Sequence, residues 1–134
     1  APQVPGGSSL PVQGYTIVRT YPHDRDAFTQ GLQFVEGVLY EGTGLNGRSS
    51  IRKVELETGK VLQRREIPEQ YFGEGITVFR NQLYQLTWQS GVAFTYDART
   101  FAPGKTFSIF PMDHSVFNLV GTVRSGFELA HFPQ

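Results

Sequence analysis

The chain has 134 residues, the length of one ordinary domain. Its 12 Lys+Arg and 12 Asp+Glu cancel to a net charge of zero, and no basic run or acidic tail stands out. This argues against a nucleic-acid or anionic-membrane surface. Cysteine is absent, which excludes disulfides, thiolate metal sites and a cysteine nucleophile, and no apolar run approaches the ~18 residues of a membrane span.

Taken in chain order, Ala1-Pro2-Gln3-Val4-Pro5-Gly6-Gly7-Ser8-Ser9 is a polar Pro/Gly/Ser stretch. It reads as the start of a disordered segment over residues 1–13. Its resemblance to a mature end left by signal-peptide cleavage gives the expectation of a secreted or periplasmic protein. Tyr15 to Tyr21 is rich in β-branched and aromatic residues and stops at Pro22, as a strand would. Leu32 to Val35 and Val38 to Gly42 flank Glu36-Gly37, a two-residue hairpin signal. Ser50 to Leu56 alternates apolar and polar residues, and Thr58-Gly59 turns into Lys60 to Ile67. Thr77 to Arg80 and Leu83 to Trp88 follow around an expected Asn81-Gln82 turn, then Val92 to Asp97 at an offset of 40 from Arg52 to Glu57. A third strand of this second unit is expected to begin near Thr100-Phe101. Helix signals are poor.

Two of these stretches repeat each other. Gly31-Leu32-Gln33-Phe34-Val35-Glu36-Gly37-Val38-Leu39-Tyr40 aligns with Gly75-Ile76-Thr77-Val78-Phe79-Arg80-Asn81-Gln82-Leu83-Tyr84, and 75 − 31 = 44. A period of about 40–50 residues with four short strands marks a β-propeller blade. The fold class is therefore all-β, a propeller of which two to three blades are present over residues 14–107. From Ser108 onward the repeat frame is missing, and 108–134 reads as a divergent tail. An open ring exposes a blade face, which gives the expectation of self-association through that edge.

The loops before the two repeats carry the polar groups. Glu74 stands in Tyr71-Phe72-Gly73-Glu74-Gly75, a carboxylate between glycines and behind two aromatics. Aromatic walls raise a carboxyl pKa, which suits a general acid–base group; the alternative is a turn glutamate facing solvent. Gln30, in Phe28-Thr29-Gln30, offers donors and acceptors for an amide-bearing ligand, or else bonds local backbone. Trp88, the one tryptophan, is either an apolar wall with an N–H donor or an inter-blade packing residue. Glu41 occupies the position equivalent to Gln85, and a Glu41–Glu74 pair can be read as the two carboxylates of a glycosidase. His23, His114 and His131 lack metal-ligand spacing, and Asp24, Asp26 and Asp97 form no calcium loop, so no metal or cofactor is expected.

Four motifs occur together: Ala27-Phe28-Thr29-Gln30-Gly31-Leu32, Leu39-Tyr40-Glu41-Gly42-Thr43-Gly44-Leu45-Asn46-Gly47-Arg48-Ser49-Ser50-Ile51-Arg52, Tyr71-Phe72-Gly73-Glu74-Gly75-Ile76-Thr77 and Leu83-Tyr84-Gln85-Leu86-Thr87-Trp88. In this order the chain, over about residues 15–107, resembles the glutaminyl cyclases (glutamine cyclotransferases) of plant and bacterial type. The resemblance implies a five-bladed propeller without catalytic zinc. It implies a glutaminyl-peptide cyclotransferase that converts an N-terminal glutamine of a peptide or protein to pyroglutamate and releases ammonia. Glu74 is then the acid–base residue, Gln30 and Trp88 belong to the substrate pocket, and Phe28 and Phe72 supply its apolar walls; Glu41 is a further expected substrate-binding residue. The later part of the family pattern is missing from Ile109 to Gln134, so the competing expectation is a truncated remnant or binding module without turnover.

Overall fold

The computed structural model describes Val12 and residues 14–109. The segment expected to be disordered, Val12 apart, and residues 110–134 of the expected tail lie outside the described residues. The rest is all-β: no helix occurs among the described residues.

Eight strands form two antiparallel four-stranded sheets. The first sheet holds β1 (Thr29–Val35), β2 (Val38–Thr43), β3 (Ser50–Val54) and β4 (Val61–Glu66), in that order. The second holds β5 (Gly73–Phe79), β6 (Gln82–Thr87), β7 (Val92–Asp97) and β8 (Pro103–Ser108), in the same order. Each is one propeller blade, and its fourth strand is the outermost. Strand starts repeat at 73 − 29 = 44 and 82 − 38 = 44, then at 92 − 50 = 42 and 103 − 61 = 42. The offset of 40 expected for the third strand is thus 42. The strand after Val92–Asp97 begins at Pro103 and is the fourth of its blade rather than the third.

Two further expectations are corrected. Tyr15 to Tyr21 makes no strand; Tyr15, Ile17 and Val18 stand largely in solvent. Strand propensity reflects fit to a pleated, packed surface, and this segment has no such neighbour. The second hairpin turns at Arg80-Asn81, both at positive φ (48° and 61°), because Phe79 pairs with Gln82. These are the residues 44 after Glu36-Gly37, whose φ values are 48° and 84°. Both turns have the left-handed pair of dihedrals that suits the twist of a two-residue hairpin.

Side-chain alternation fixes what each face of the first blade touches. Gln33, Tyr40, Ile51 and Lys53 look towards the second blade. There the Gln33 carboxamide pairs with the β5 backbone: Nε2 donates to Val78 O at 3.3 Å and Oε1 accepts from Val78 N at 2.5 Å. The Tyr40 hydroxyl donates to Ala98 O at 3.2 Å. Between the blades lies the apolar core of Tyr40, Ile51, Ile67, Ile76, Leu83, Tyr96 and Phe101. Ile76 is its keystone. A Cβ at Gly42 would come within 2.5 Å of Ile76 Cγ2, and one at Gly31 within 2.7 Å of the Ile76 amide nitrogen. Only glycine at these two positions lets β5 lie this close to β1 and β2. Ile76→Ala is expected to lower stability by about 2–5 kcal/mol, because it empties a closed pocket. Urea unfolding followed by circular dichroism measures this.

Candidate functional site

The rim where β1 and β5 begin is built twice by the same backbone device. Gly44 N donates to Phe28 O at 2.8 Å, and Trp88 N donates to Phe72 O at 2.9 Å. These bonds hold Phe28, Phe72 and Trp88 in a row along the rim. Phe28 and Phe72 meet edge to face at 6.0 Å between centroids, and Phe72 and Trp88 at 5.6 Å. Trp88 keeps 48% of its surface exposed and packs its ring against Phe72, outside the apolar core.

Gln30 and Glu74 sit just below this row, at equivalent places: 74 − 30 = 44. They lie within the first strands, not in the loops before them. At each place the ladder slips. Thr29 pairs with Thr43 and Gly31 with Gly42, which leaves Gln30 as the extra residue. Gly73 pairs with Thr87 and Ile76 with Gln85, so Glu74 and Gly75 share one opposing position. A bulge of this kind bends the strand and re-aims a side chain. The same irregularity therefore turns a carboxamide in one blade and a carboxylate in the next.

Glu74 is half-buried, between two buried glycines. Its carboxylate has no hydrogen-bond partner or counter-ion among the described residues. Burial pushes its pKa above the ordinary glutamate value, and nothing opposes that shift. A carboxyl of this kind keeps its proton to a higher pH than a solvated one, as a group that must both take and return a proton requires.

Two residues that the sequence reading passed over hold this place. Ser49 Oγ accepts a hydrogen bond from Gly73 N at 2.9 Å and donates to Leu45 O at 2.7 Å. It ties the start of β5 to the β2–β3 loop of the other blade. Gln85 is fully buried against Gly73, with its Oε1 and Nε2 both without a partner among the described residues. Ser49 stands in what reads as a plain turn, and only the chain crossing reveals its partner, 24 residues on. Ser49→Ala is expected to leave Gly73 N unpaired, at about 1–3 kcal/mol of stability. Thermal unfolding checks this.

Glu41 departs from its expected role. It is only 1% exposed and lies on the face of β2 turned away from the second blade. Its Oε1 bonds His23 Nε2 at 2.8 Å and accepts from the Thr29 hydroxyl at 2.6 Å, and its Oε2 lies 3.9 Å from Arg52 Nη1. Arg52, itself 4% exposed, donates to Asp24 Oδ2 at 2.7 Å and to Ser50 Oγ at 3.0 Å. A carboxylate so enclosed offers no contact to a peptide. It anchors residues 23–29 across the outer face of the blade, and the glycosidase pairing loses one of its two carboxylates. Among the described residues no group of His, Asp and Glu could hold a metal ion.

Comparison with known proteins bears on this arrangement. Residues 1–113 match the model of the family described as glutamine cyclotransferase, a wider span than the motifs alone cover. The chain is 44% identical over 106 residues to a glutaminyl-peptide cyclotransferase of Arabidopsis thaliana, covering 75% of this chain and 33% of that protein. It also resembles the crystal structure of Myxococcus xanthus glutaminyl cyclase, with a TM-score of 0.62 and 33% identity over 69% of this chain and 39% of that one. The chain thus spans about a third of the length of the curated relative it matches.

Proposed function

We propose, from the premise that this chain belongs to the glutamine cyclotransferase family, that it carries the acid–base half of a site that cyclises N-terminal glutamine. The observation that carries this reading is Glu74: a half-buried carboxyl without a counter-ion among the described residues, at a bulge that follows directly on a row of three aromatics.

The reaction needs little else from the protein. The free α-amine of the substrate attacks the carbon of its own side-chain carboxamide and closes a five-membered ring. Glu74 takes the proton that the amine loses and delivers it to the departing nitrogen, which leaves as ammonia. One C–N bond forms, one breaks, and the carboxylate is restored. The nucleophile belongs to the substrate, so the acceleration comes largely from holding it folded for attack. Gln30, turned by the equivalent bulge, supplies donors and acceptors for the substrate amide. Phe28, Phe72 and Trp88 give the apolar wall, and the Trp88 indole N–H is a donor for the developing oxyanion. The substrates are peptides or proteins with an N-terminal glutamine. Pyroglutamate is the product, and a secreted or periplasmic setting belongs to the same reading.

A second reading is a peptide-binding module without turnover, since the paired bulges and the aromatic row are features that would hold a peptide without chemistry. Phe79 and Phe107, both exposed among the described residues, would offer an apolar surface for self-association. Ammonia release from a glutaminyl dipeptide separates the readings. Release from Gln-Ala but not from Asn-Ala supports the cyclase. Binding of Gln-Ala without ammonia leaves the module.

A further inference from the structure

An open cleft of about 280 Å³ lies at the rim end of the first blade, beside the aromatic row. Phe28 and Gly44 belong to its wall. Both touch Phe72: Phe28 edge to face, and Gly44 so closely that an added Cβ would overlap the ring. The cleft therefore continues from the row without a break.

Thr43 and Leu45 adjoin Gly44 in the wall, and the remainder is charged, with Arg48, Arg52 and Arg64 set against Asp24 and Asp26. These charges are not equally available. Arg52 is buried and held by Asp24, with Glu41 behind it. Arg64 bonds Glu66 at 3.1 Å, but both side chains are exposed, and water or a ligand competes for such a pair. Arg48 has no ion pair among the described residues, and neither does the Asp26 carboxylate. What faces the opening is Arg48 and Arg64, opposed by Asp26. A guanidinium is a planar fork that matches a carboxylate in two parallel hydrogen bonds.

We infer that this cleft receives the part of the peptide that follows the N-terminal glutamine and selects a carboxylate there. The reach is right. Phe72, two residues before Glu74, stands 6.0 Å between ring centroids from Phe28 in the cleft wall, and an extended peptide advances ~3.4 Å per residue. A peptide whose glutamine is held at Glu74 and which runs along the row thus brings a residue about two positions on to the cleft. The carboxylate is an acidic side chain at that point or the C-terminus of a short peptide. The inference rests on the proposed function, since it takes the peptide's first residue to be at Glu74.

The test uses the fluorescence of Trp88, the chain's only tryptophan. The full chain carrying Glu74→Gln is titrated with Gln-Ala-Glu-amide, Gln-Ala-Lys-amide, Gln-Ala-Ala-amide and Gln-Ala-Ala free acid. The glutamate peptide is expected to bind about three- to fivefold tighter than the lysine peptide, the range of an exposed ion pair. The gap should narrow as salt rises, vanish with Arg48→Ala and Arg64→Ala together, and widen with Asp26→Asn. A preference for the free acid over its amide assigns the C-terminus; a preference for glutamate alone assigns the side chain. Equal affinity for all four peptides overturns the inference and leaves the function standing. A gap that survives the double variant also overturns it, provided circular dichroism is unchanged. Binding of none of them removes the inference and the proposed function together.

Discussion

Glu74→Gln is expected to reduce ammonia release from a glutaminyl peptide by about 10²–10⁴-fold, the range that a positioned acid–base group contributes. The carboxamide keeps the shape of the side chain and removes only its ability to take up and return a proton. Peptide affinity, read from Trp88 fluorescence, should change little, and the loss should fall on kcat. The same substitution should leave stability unharmed or raise it at neutral pH. Burial raises the folded-state pKa of Glu74 above its ordinary value. Between the two values the native state holds more protons than the unfolded chain, so stability falls as pH rises through that window. Above it, the wild-type chain carries an unpaired, partly buried charge that glutamine does not. A variant that is less active yet no less stable is what a group placed for chemistry predicts. Loss of activity together with a collapsed fold would instead place Glu74 among the residues that hold the blade.

What the sequence reveals and what it hides divide along a physical line. The 44-residue offset is legible because each blade must solve the same packing problem, so Gly31 and Gly75, Leu39 and Leu83, Tyr40 and Tyr84 recur. It places Gln30 and Glu74 in register before any coordinates do. Local chemistry misleads where tertiary structure overrides it. Arg80 is a poor turn residue by type, yet it takes φ 48° because the ladder on both sides demands a turn there. Tyr15 to Tyr21 has the composition of a strand and no ladder to join.

Glu41 shows a deeper limit. By position it equals Gln85, and both are buried on the same side of their blades. Gln85 faces the first blade, and the residue opposite it is Phe94. Glu41 faces residues 23–29, and the residue opposite it is Arg52. A charge is kept where a cation stands across the ladder and replaced by a neutral amide where an aromatic does. The pairing of Glu41 with Arg52 follows from strand register, which a loop of unknown geometry between β2 and β3 conceals. The contacts from His23 and Asp24 depend on the path of a segment that makes no strand.

That cluster is the basis of the largest expected effect on stability. Arg52→Ala is expected to cost about 3–5 kcal/mol, as removal of one partner of a buried pair does. It strips Glu41 of its nearest guanidinium, releases Asp24 and leaves Ser50 Oγ with the Thr43 hydroxyl in place of two partners. Replacing both Glu41 and Arg52 by leucine should recover most of the loss, because no uncompensated buried charge then remains. The acid limb of stability gives an independent check. The Arg52 hydrogen bond is the largest cause holding Asp24 below its ordinary pKa of 3.8. The stabilisation from this pair is fully present above that value and is lost as pH falls through the lowered one. Arg52→Ala should therefore flatten the decline below pH 3.8. An effect on the site follows from connectivity. Residues 23 and 24 are held to the blade only a few positions before Phe28 and Gln30, so loosening them frees both residues proposed for the pocket. KM for glutaminyl peptides should rise in Arg52→Ala while the Glu74 step, governed by the other blade, keeps its pH dependence. Unfolding in urea with a loss below 1 kcal/mol would show that residues 23–29 are held by something other than these charges.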